Sequence, residues 1–245
     1  QIDFVDLDEK MSDPSVKGMI LCSPHNPVGR VWTEEELSRT VDICQHYEKW
    51  IISDEIHCDL TRKGIVHHPL LKVRPDYKDH IIACTAPSKT FNLAGMQLSN
   101  IVIPNPDYQR QWIYETETRY GLDSINPLSV AAMIAAYSSG EEWLEQVLTY
   151  IDGNVQFVRE FLTKYLPKAI LSDSEGTYLV WIDLRAYCTD EEKLEKLVLE
   201  KAGLVLDEGY IFGKEGAGFE RINVACPRSI LEDCMKRLAH ILTNC

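Results

Sequence analysis

Short apolar runs and amphipathic stretches alternate over roughly the first 105 residues. Lys17 to Leu21 is an apolar run that ends in a turn rich in proline and glycine. Thr33, with Glu36 three residues on, forms a capping box, in which each side chain bonds the other residue's backbone N–H. Leu37, Val41, Cys44 and then Tyr47 or Glu48 follow at helical spacing, which predicts a helix from about Thr33 to Lys49. Trp50 to Ser53, Ile81 to Thr85 and Leu98 to Ile103 read as strands, the last bounded by Pro104 and Pro106. Strand and helix in this rhythm predict an α/β unit, a parallel-rich sheet with flanking helices.

The pattern changes farther on. From Ser129 to Leu166 the apolar positions keep helical spacing, with Gly140 and Gly153 as expected breaks and Pro167 as the stop. Then come a strand at Tyr178 to Leu184, a helix at Thr189 to Ala202 and a strand at Arg221 to Ala225. A Thr189/Glu192 capping box opens that helix and Gly203 ends it. The final helix starts at Ser229, with Glu232 three on, and sets Leu231, Met235, Leu238 and Leu242 on one face. This is the pattern of a small α+β domain. No internal repeat or low-complexity segment interrupts it, and the lone glycines of Gly213 to Gly218 carry no phosphate-binding signature.

With 245 residues, 45% of them apolar, the chain has enough material for one large domain or two modest ones. Acidic residues outnumber basic ones 38 to 25, a formal charge of −13, and Lys and Arg form no dense stripe. Binding to nucleic acid needs clustered cations, so that class of partner is excluded. No apolar run approaches the roughly 20 residues that span a bilayer, and no charged-then-apolar leader opens the chain, so a cytoplasmic protein is expected. The eight cysteines, at 22, 44, 58, 84, 188, 226, 234 and 245, show no Cys-x-x-Cys pair. Zinc is not expected, and buried thiols in a reducing compartment are.

Three polar segments each follow an apolar run: Ser23 to Gly29, Ser53 to His57, and Ser88 to Gly95. Together they supply what an aldehyde cofactor with a pyridine ring requires: a lysine to bond the aldehyde, a carboxylate to keep the ring nitrogen protonated, and donors for the phenolic oxygen. Lys89, Asp54, Asn26 and His57 would fill those roles. Asn26 precedes Asp54 by 28 positions and Asp54 precedes Lys89 by 35, intervals long enough for a helix and the next strand. Each residue also has a structural alternative. Lys89 can be a surface lysine, Asp54 a strand-end cap, Asn26 a turn residue between prolines and His57 a satisfied core histidine. Arg221, in an apolar strand, would cost several kcal/mol if buried unpaired.

The segments Leu21 to Trp32, Ser53 to His57, Thr85 to Asn92 and Phe219 to Arg228 occur in an order that resembles pyridoxal-phosphate enzymes of fold type I, the class I/II aminotransferase superfamily. The chain is most similar to their MalY/PatB group of cystathionine β-lyase-like carbon–sulfur lyases. The resemblance implies that Lys89 bonds the cofactor and later takes the substrate Cα proton. Asn26, Asp54, His57 and Ser88 would hold the cofactor, with Thr85 as a further phosphate donor, and Arg221 would hold the substrate carboxylate. Asn26-Pro27 would be cis, and Arg228 would be structural. Where many transaminases carry an arginine eight residues after the lysine, this chain has Gln97.

Against that family the opening segment is missing, with its ring-stacking aromatic and phosphate loop, so the chain resembles a fragment. Residues 1–128 would be the remaining part of the cofactor-binding large domain, 129–166 connecting helices, and 167–245 the small C-terminal α+β domain. The implied activity is α,β-elimination of L-cystathionine or another cysteine S-conjugate to thiol, pyruvate and ammonia, by a homodimer when intact. Two alternatives stand beside it: an aminotransferase on the same scaffold, and a non-catalytic binding protein that keeps the fold.

Overall fold

A computed structural model describes residues 1–122 and 124–243; Cys245, one of the cysteines counted above, lies outside them. By contact, the chain forms two compact units: Gln1–Pro24 with Val31–Leu144, and His25–Arg30 with the chain from Glu145 on.

The first unit opens with α1 (Phe4–Ser12), whose N-terminal amides at Val5 and Asp6 donate to the Asp3 carboxylate. β1 (Gly18–Cys22), α2 (Glu34–His46), β2 (Trp50–Asp54), α3 (Leu70–Val73) and β3 (Ile81–Thr85) follow. The expected Thr33/Glu36 capping box is present at the start of α2. After β3 come α4 (Pro87–Thr90), β4 (Asn100–Val102), α5 (Pro106–Ile113), a π-helical stretch at Tyr114–Arg119 and α6 (Pro127–Ser139). The sheet runs β1-β2-β3-β4, with the first three strands parallel. β4 pairs antiparallel with β3. Only a one-turn helix and a short 3-10 turn separate the two, too little to carry the chain back to the start of β3.

One sheet face is built from Leu21, Ile51 and Ile81, which bury against Leu7 and Met11 of α1 and Leu37, Val41 and Cys44 of α2. The other face carries Ile20 and Ile52, opposite each other in register and 70% and 38% exposed. α6 ends at Gly140, as expected. A Cβ there would lie 2.8 Å from the Phe91 ring and 2.4 Å from the Ala136 carbonyl.

The second unit resumes at Glu145, within α7 (Glu141–Tyr165), which runs straight through Gly153, where a break was expected. A glycine in a helix interior costs about 1 kcal/mol, which the buried stripe of Ile151, Val155, Val158, Phe161 and Leu162 outweighs. β5 (Ile170–Leu171), β6 (Leu179–Asp183), α8 (Glu191–Lys196), β7 (Asp207–Glu208), β8 (Phe219–Asn223) and α9 (Arg228–Thr243) complete it. The sheet order is β5-β6-β8-β7, and every pairing is antiparallel. The cap of α8 is Asp190, not the expected Thr189: its carboxylate accepts from Lys193 N at 3.0 Å. Moving the cap by one residue puts an anion at the helix's positive end. α8 then continues as a π-helical stretch at Leu197–Lys201, and Gly203 stops it with φ +62°. Leu231, Met235, Leu238 and Leu242 of α9 bury against Val180 and Ile182 of β6 and Val158 of α7, as the spacing of α9 predicts.

Candidate functional site

Asp54 is the last residue of β2, the middle of three parallel strands, and lies opposite Cys22 of β1 and Cys84 of β3. Strand alternation puts its side chain on the same face as Ile52. The carbonyl of Asp54 accepts from Ser23 N at 3.0 Å, and its Oδ1 accepts from Ile56 N at 3.3 Å. The chain then turns twice, with Cys58 N donating to Glu55 O and Leu60 N to His57 O, both at 2.9 Å. His57 is buried between those turns.

Glu55, which opens the first of these turns, is 4% exposed. Its carboxylate accepts from Ser53 Oγ at 2.7 Å and Leu70 N at 3.1 Å, and pairs with His67 Nε2 at 3.0 Å. Burial by itself would raise this acid's pKa, and the bonds from His67, Ser53 and Leu70 reverse that and hold it below the usual carboxylate range. Burial pushes the neighbouring Cys58 thiol the other way, up to about 12, which makes it a packing group and no nucleophile.

Lys89 and Ser88 lie in α4, directly after β3, and both are half-buried. Pro87 opens α4 and no side chain caps it. The turn closes through Phe91 N to Pro87 O at 2.9 Å and Leu93 N to Ser88 O at 3.1 Å. Among the described residues the Lys89 ammonium makes no hydrogen bond or ion pair. Thr85 Oγ1 accepts from Asn100 Nδ2 at 3.4 Å. Gln97 caps the 3-10 turn Ala94–Met96 in the left-handed region, φ +51°.

The second unit holds the other two predicted residues, and it brings them into contact. Arg221 Nη1 donates to Asn26 Oδ1 at 2.7 Å. Arginine has only donors, so this bond fixes the amide's orientation and leaves Asn26 Nδ2 as the outward group, itself a donor. The Asn26-Pro27 bond is cis, as is Ser23-Pro24. The turn His25–Arg30 is bonded into its unit through Gly29 O, which accepts from Glu175 N and Gly176 N at 2.8 Å each. Gly29 has φ +81°, and a Cβ there would lie 2.7 Å from Ser174 Oγ. Arg30 also pairs with Glu175.

Asp207 holds the side edge of Arg221, its Oδ2 accepting from Nε at 3.0 Å and from Nη2 at 2.8 Å, while the guanidinium stacks 4.7 Å from the Phe212 ring centroid. Arg228 is built into the structure: it opens α9, its Nε donates to Asn154 Oδ1 at 2.8 Å, and it covers the Phe157 ring.

Three residues around these groups carried no signal that singled them out in the sequence. Asp207 reaches Arg221 as its register partner across the antiparallel β7–β8 pair, a pairing that local pattern does not encode. Glu55 lay inside the Ser53 to His57 motif, yet its partner His67 comes from an irregular segment. Asp59 binds Thr90 and Tyr137, both far from it in sequence.

The model of the aminotransferase class I and II family matches residues 1–238. Cystathionine beta-lyase PatB of Bacillus subtilis is 40% identical over 242 residues, which is 99% of this chain and 62% of PatB. Protein MalY of Escherichia coli is 35% identical over 231 residues, 94% of this chain and 58% of MalY. Cystalysin of Treponema denticola, solved with a pyridoxal 5'-phosphate cofactor, superposes with a TM-score of 0.95 at 39% identity, over all of this chain and 62% of cystalysin. A C-S lyase from Staphylococcus hominis, also bound to the cofactor, superposes at 0.92 and 39% identity over 99% of this chain and 61% of its own. The chain thus spans about three fifths of the length of the relatives it matches.

Proposed function

Because the chain belongs to the aminotransferase class I and II family, we propose that it is the greater part of a pyridoxal-phosphate carbon–sulfur lyase acting on L-cystathionine or another cysteine S-conjugate. One observation carries the reading: a carboxylate, Asp54, ends the central parallel strand, and an amine, Lys89, stands in the turn after the neighbouring strand. The carboxyl ends of parallel strands are where open α/β sheets bind ligands. The cofactor's donor set also fits. Ser23 Oγ, 2% exposed and without a partner among the described residues, lies beside the strand end and is a polar atom that a ligand can satisfy.

When bound, pyridoxal phosphate supplies an electron sink for the substrate Cα. In this reading Asp54 keeps the ring nitrogen protonated, the outward amide of Asn26 and the His57 ring donate to the phenolic oxygen, and Ser88 holds phosphate. Arg221, its orientation set by Asp207 and Asn26, presents its remaining donors to the substrate α-carboxylate in a bidentate fork. Lys89 Nζ removes the Cα proton, and the thiol then leaves from Cβ.

The proposal extends to the whole protein. Residues 1–128 belong to the cofactor-binding domain, 129–166 connect, and 167–245 form the small domain. The protein works as a cytoplasmic homodimer. The free cysteines among the described residues are in keeping with a reducing compartment, and no helix of the described residues is long and apolar enough to cross a membrane. Cystathionine beta-lyase PatB, at 40% identity, and the C-S lyase from Staphylococcus hominis, at 39%, support the lyase over a transaminase.

The test is direct. The protein is loaded with pyridoxal phosphate and given L-cystathionine: pyruvate without any added 2-oxo acid supports the lyase. Keto-acid formation only when an acceptor is present converts the reading to an aminotransferase. Visible absorbance that persists in Lys89→Ala removes the lysine from its role.

A further inference from the structure

A four-residue helix does not hold its own shape, because nucleation is unfavourable and one turn adds almost no compensating bonds. α4, which carries Lys89, is such a helix, and no side chain caps it. Its geometry is therefore imposed from outside, and the structure shows by what. Thr90, next to the lysine and 2% exposed, donates its hydroxyl to Asp59 Oδ2 at 2.8 Å. Tyr137 of α6 donates its phenol to the same oxygen at 3.3 Å. Phe91, the residue that ends the turn, meets Tyr137 edge-on, with centroids 5.1 Å apart, and Trp143 at 5.9 Å.

Asp59 stands two residues beyond His57, in the segment that leaves the end of β2. One carboxylate oxygen thus joins three parts of the same unit: the strand-end turn that holds Asp54 and His57, the lysine turn, and α6. Both partners donate a hydroxyl to the same Asp59 oxygen, so the clamp needs an acceptor at that position. A carboxylate binds them more strongly, since charge-assisted bonds are about twice as strong as neutral ones. Partial burial and the Asp59 charge push the Tyr137 phenol up to about 12, which keeps it a donor over the whole neutral range.

We propose that Asp59 is the positioning residue of Lys89: through Thr90 and Tyr137 it fixes the lysine turn in register with the strand end that bears Asp54 and His57. The proposal rests on the reading of Lys89 given above only for its purpose. The clamp itself is tested without any cofactor.

Asp59→Ala, Thr90→Val and Thr90→Ser are compared by hydrogen exchange at the Phe91 and Leu93 amides, which close the lysine turn. In parallel, the acetylation rate of Lys89 is measured against that of the exposed Lys63 in the same sample. In Asp59→Ala and Thr90→Val, both amides exchange about tenfold to hundredfold faster, the range that loss of a hydrogen bond to a charged group gives, and Lys89 acetylates at a rate nearer to that of Lys63. Thr90→Ser, which keeps the hydroxyl, stays within about threefold of the parent in both readouts.

Unchanged exchange at Phe91 and Leu93 in Asp59→Ala overturns the proposal. So does an equal acceleration at the Leu21 and Ile51 amides, because a general loss of stability then explains everything. Borohydride capture of pyridoxal phosphate, mapped by peptide mass, separates the two ideas. No adduct at Lys89 in the parent protein rejects the cofactor reading and leaves the exchange result to decide the clamp.

Discussion

Each unit buries one glutamate at the end or in the middle of a strand, and the two are accommodated in opposite ways. Glu55, just past β2, is 4% exposed and receives Ser53, His67 and a backbone amide. Glu220, within β8, is 1% exposed, and its Oε2 finds no partner among the described residues. Its charged neighbours are Glu208 and Asp207 of β7 and Glu195 of α8, all acids. Burial first, and then Glu208, pushes Glu220 up to about 8, while the bonds of Glu55 hold that acid low. Burial of an acid is thus no marker of function by itself. What separates the two is whether donors converge on it, and on Glu55 they converge from Ser53, His67 and Leu70.

The largest test of this contrast is Glu55→Ala. It removes the common acceptor of Ser53, His67 and Leu70 N, and leaves three buried donors without it. Each such group costs about 1–3 kcal/mol when stranded, with partial recovery by water, so a net loss of roughly 3 kcal/mol is expected in the urea midpoint. Glu55 also sets an acid limb. Its folded pKa is lowered, so its contribution is present above the ordinary carboxylate range and is lost as pH falls through the folded value. A Glu55→Ala protein whose stability on acidification parallels the parent's contradicts this account.

Glu220 gives the opposite slope. Its folded pKa lies above the ordinary 4.5, so the folded protein binds the extra proton between that value and about 8. The stabilisation is complete below the ordinary value and is lost as pH rises through about 8. Glu220→Gln, which keeps the shape and cannot ionise, raises stability above that pH by a few kcal/mol and leaves the acid side nearly unchanged. Unfolding midpoints of parent and variant that stay parallel from about pH 4.5 to about 8 remove Glu220 from the explanation.

Much of the first unit was legible because its signals are local. The Thr33/Glu36 box and the spacing of Leu37, Val41 and Cys44 contain all the information α2 needs. Asn26, Asp54, His57, Ser88 and Lys89 stand out in the sequence as polar groups that follow apolar runs, and Arg221 as a charge inside an apolar strand; their roles at a cofactor belong to the proposed function. Three things were not. The direction of β4 depends on the length of helix between it and β3. Gly153 fails to break α7 because the stripe on both sides of it packs, a tertiary effect no local rule contains. The supporting acids Glu55, Asp59 and Asp207 draw their meaning from partners on other elements, and sequence spacing cannot supply those.

The smallest expected effect sharpens a second contrast inside the first unit, between the two faces of its sheet. Ile51 is fully buried against α1 and α2, and Ile51→Ala should cost about 2–5 kcal/mol through lost burial and the cavity left behind. Ile20 and Ile52 stand in register on the other face, exposed, in a parallel region of the kind that is ordinarily covered on both sides. In the structure described, Ile20 has almost no apolar contact to lose. Ile20→Thr should therefore change the urea midpoint by less than about 0.5 kcal/mol. If it instead costs as much as a core substitution, that face is covered in solution, and the two faces of the sheet are energetically alike.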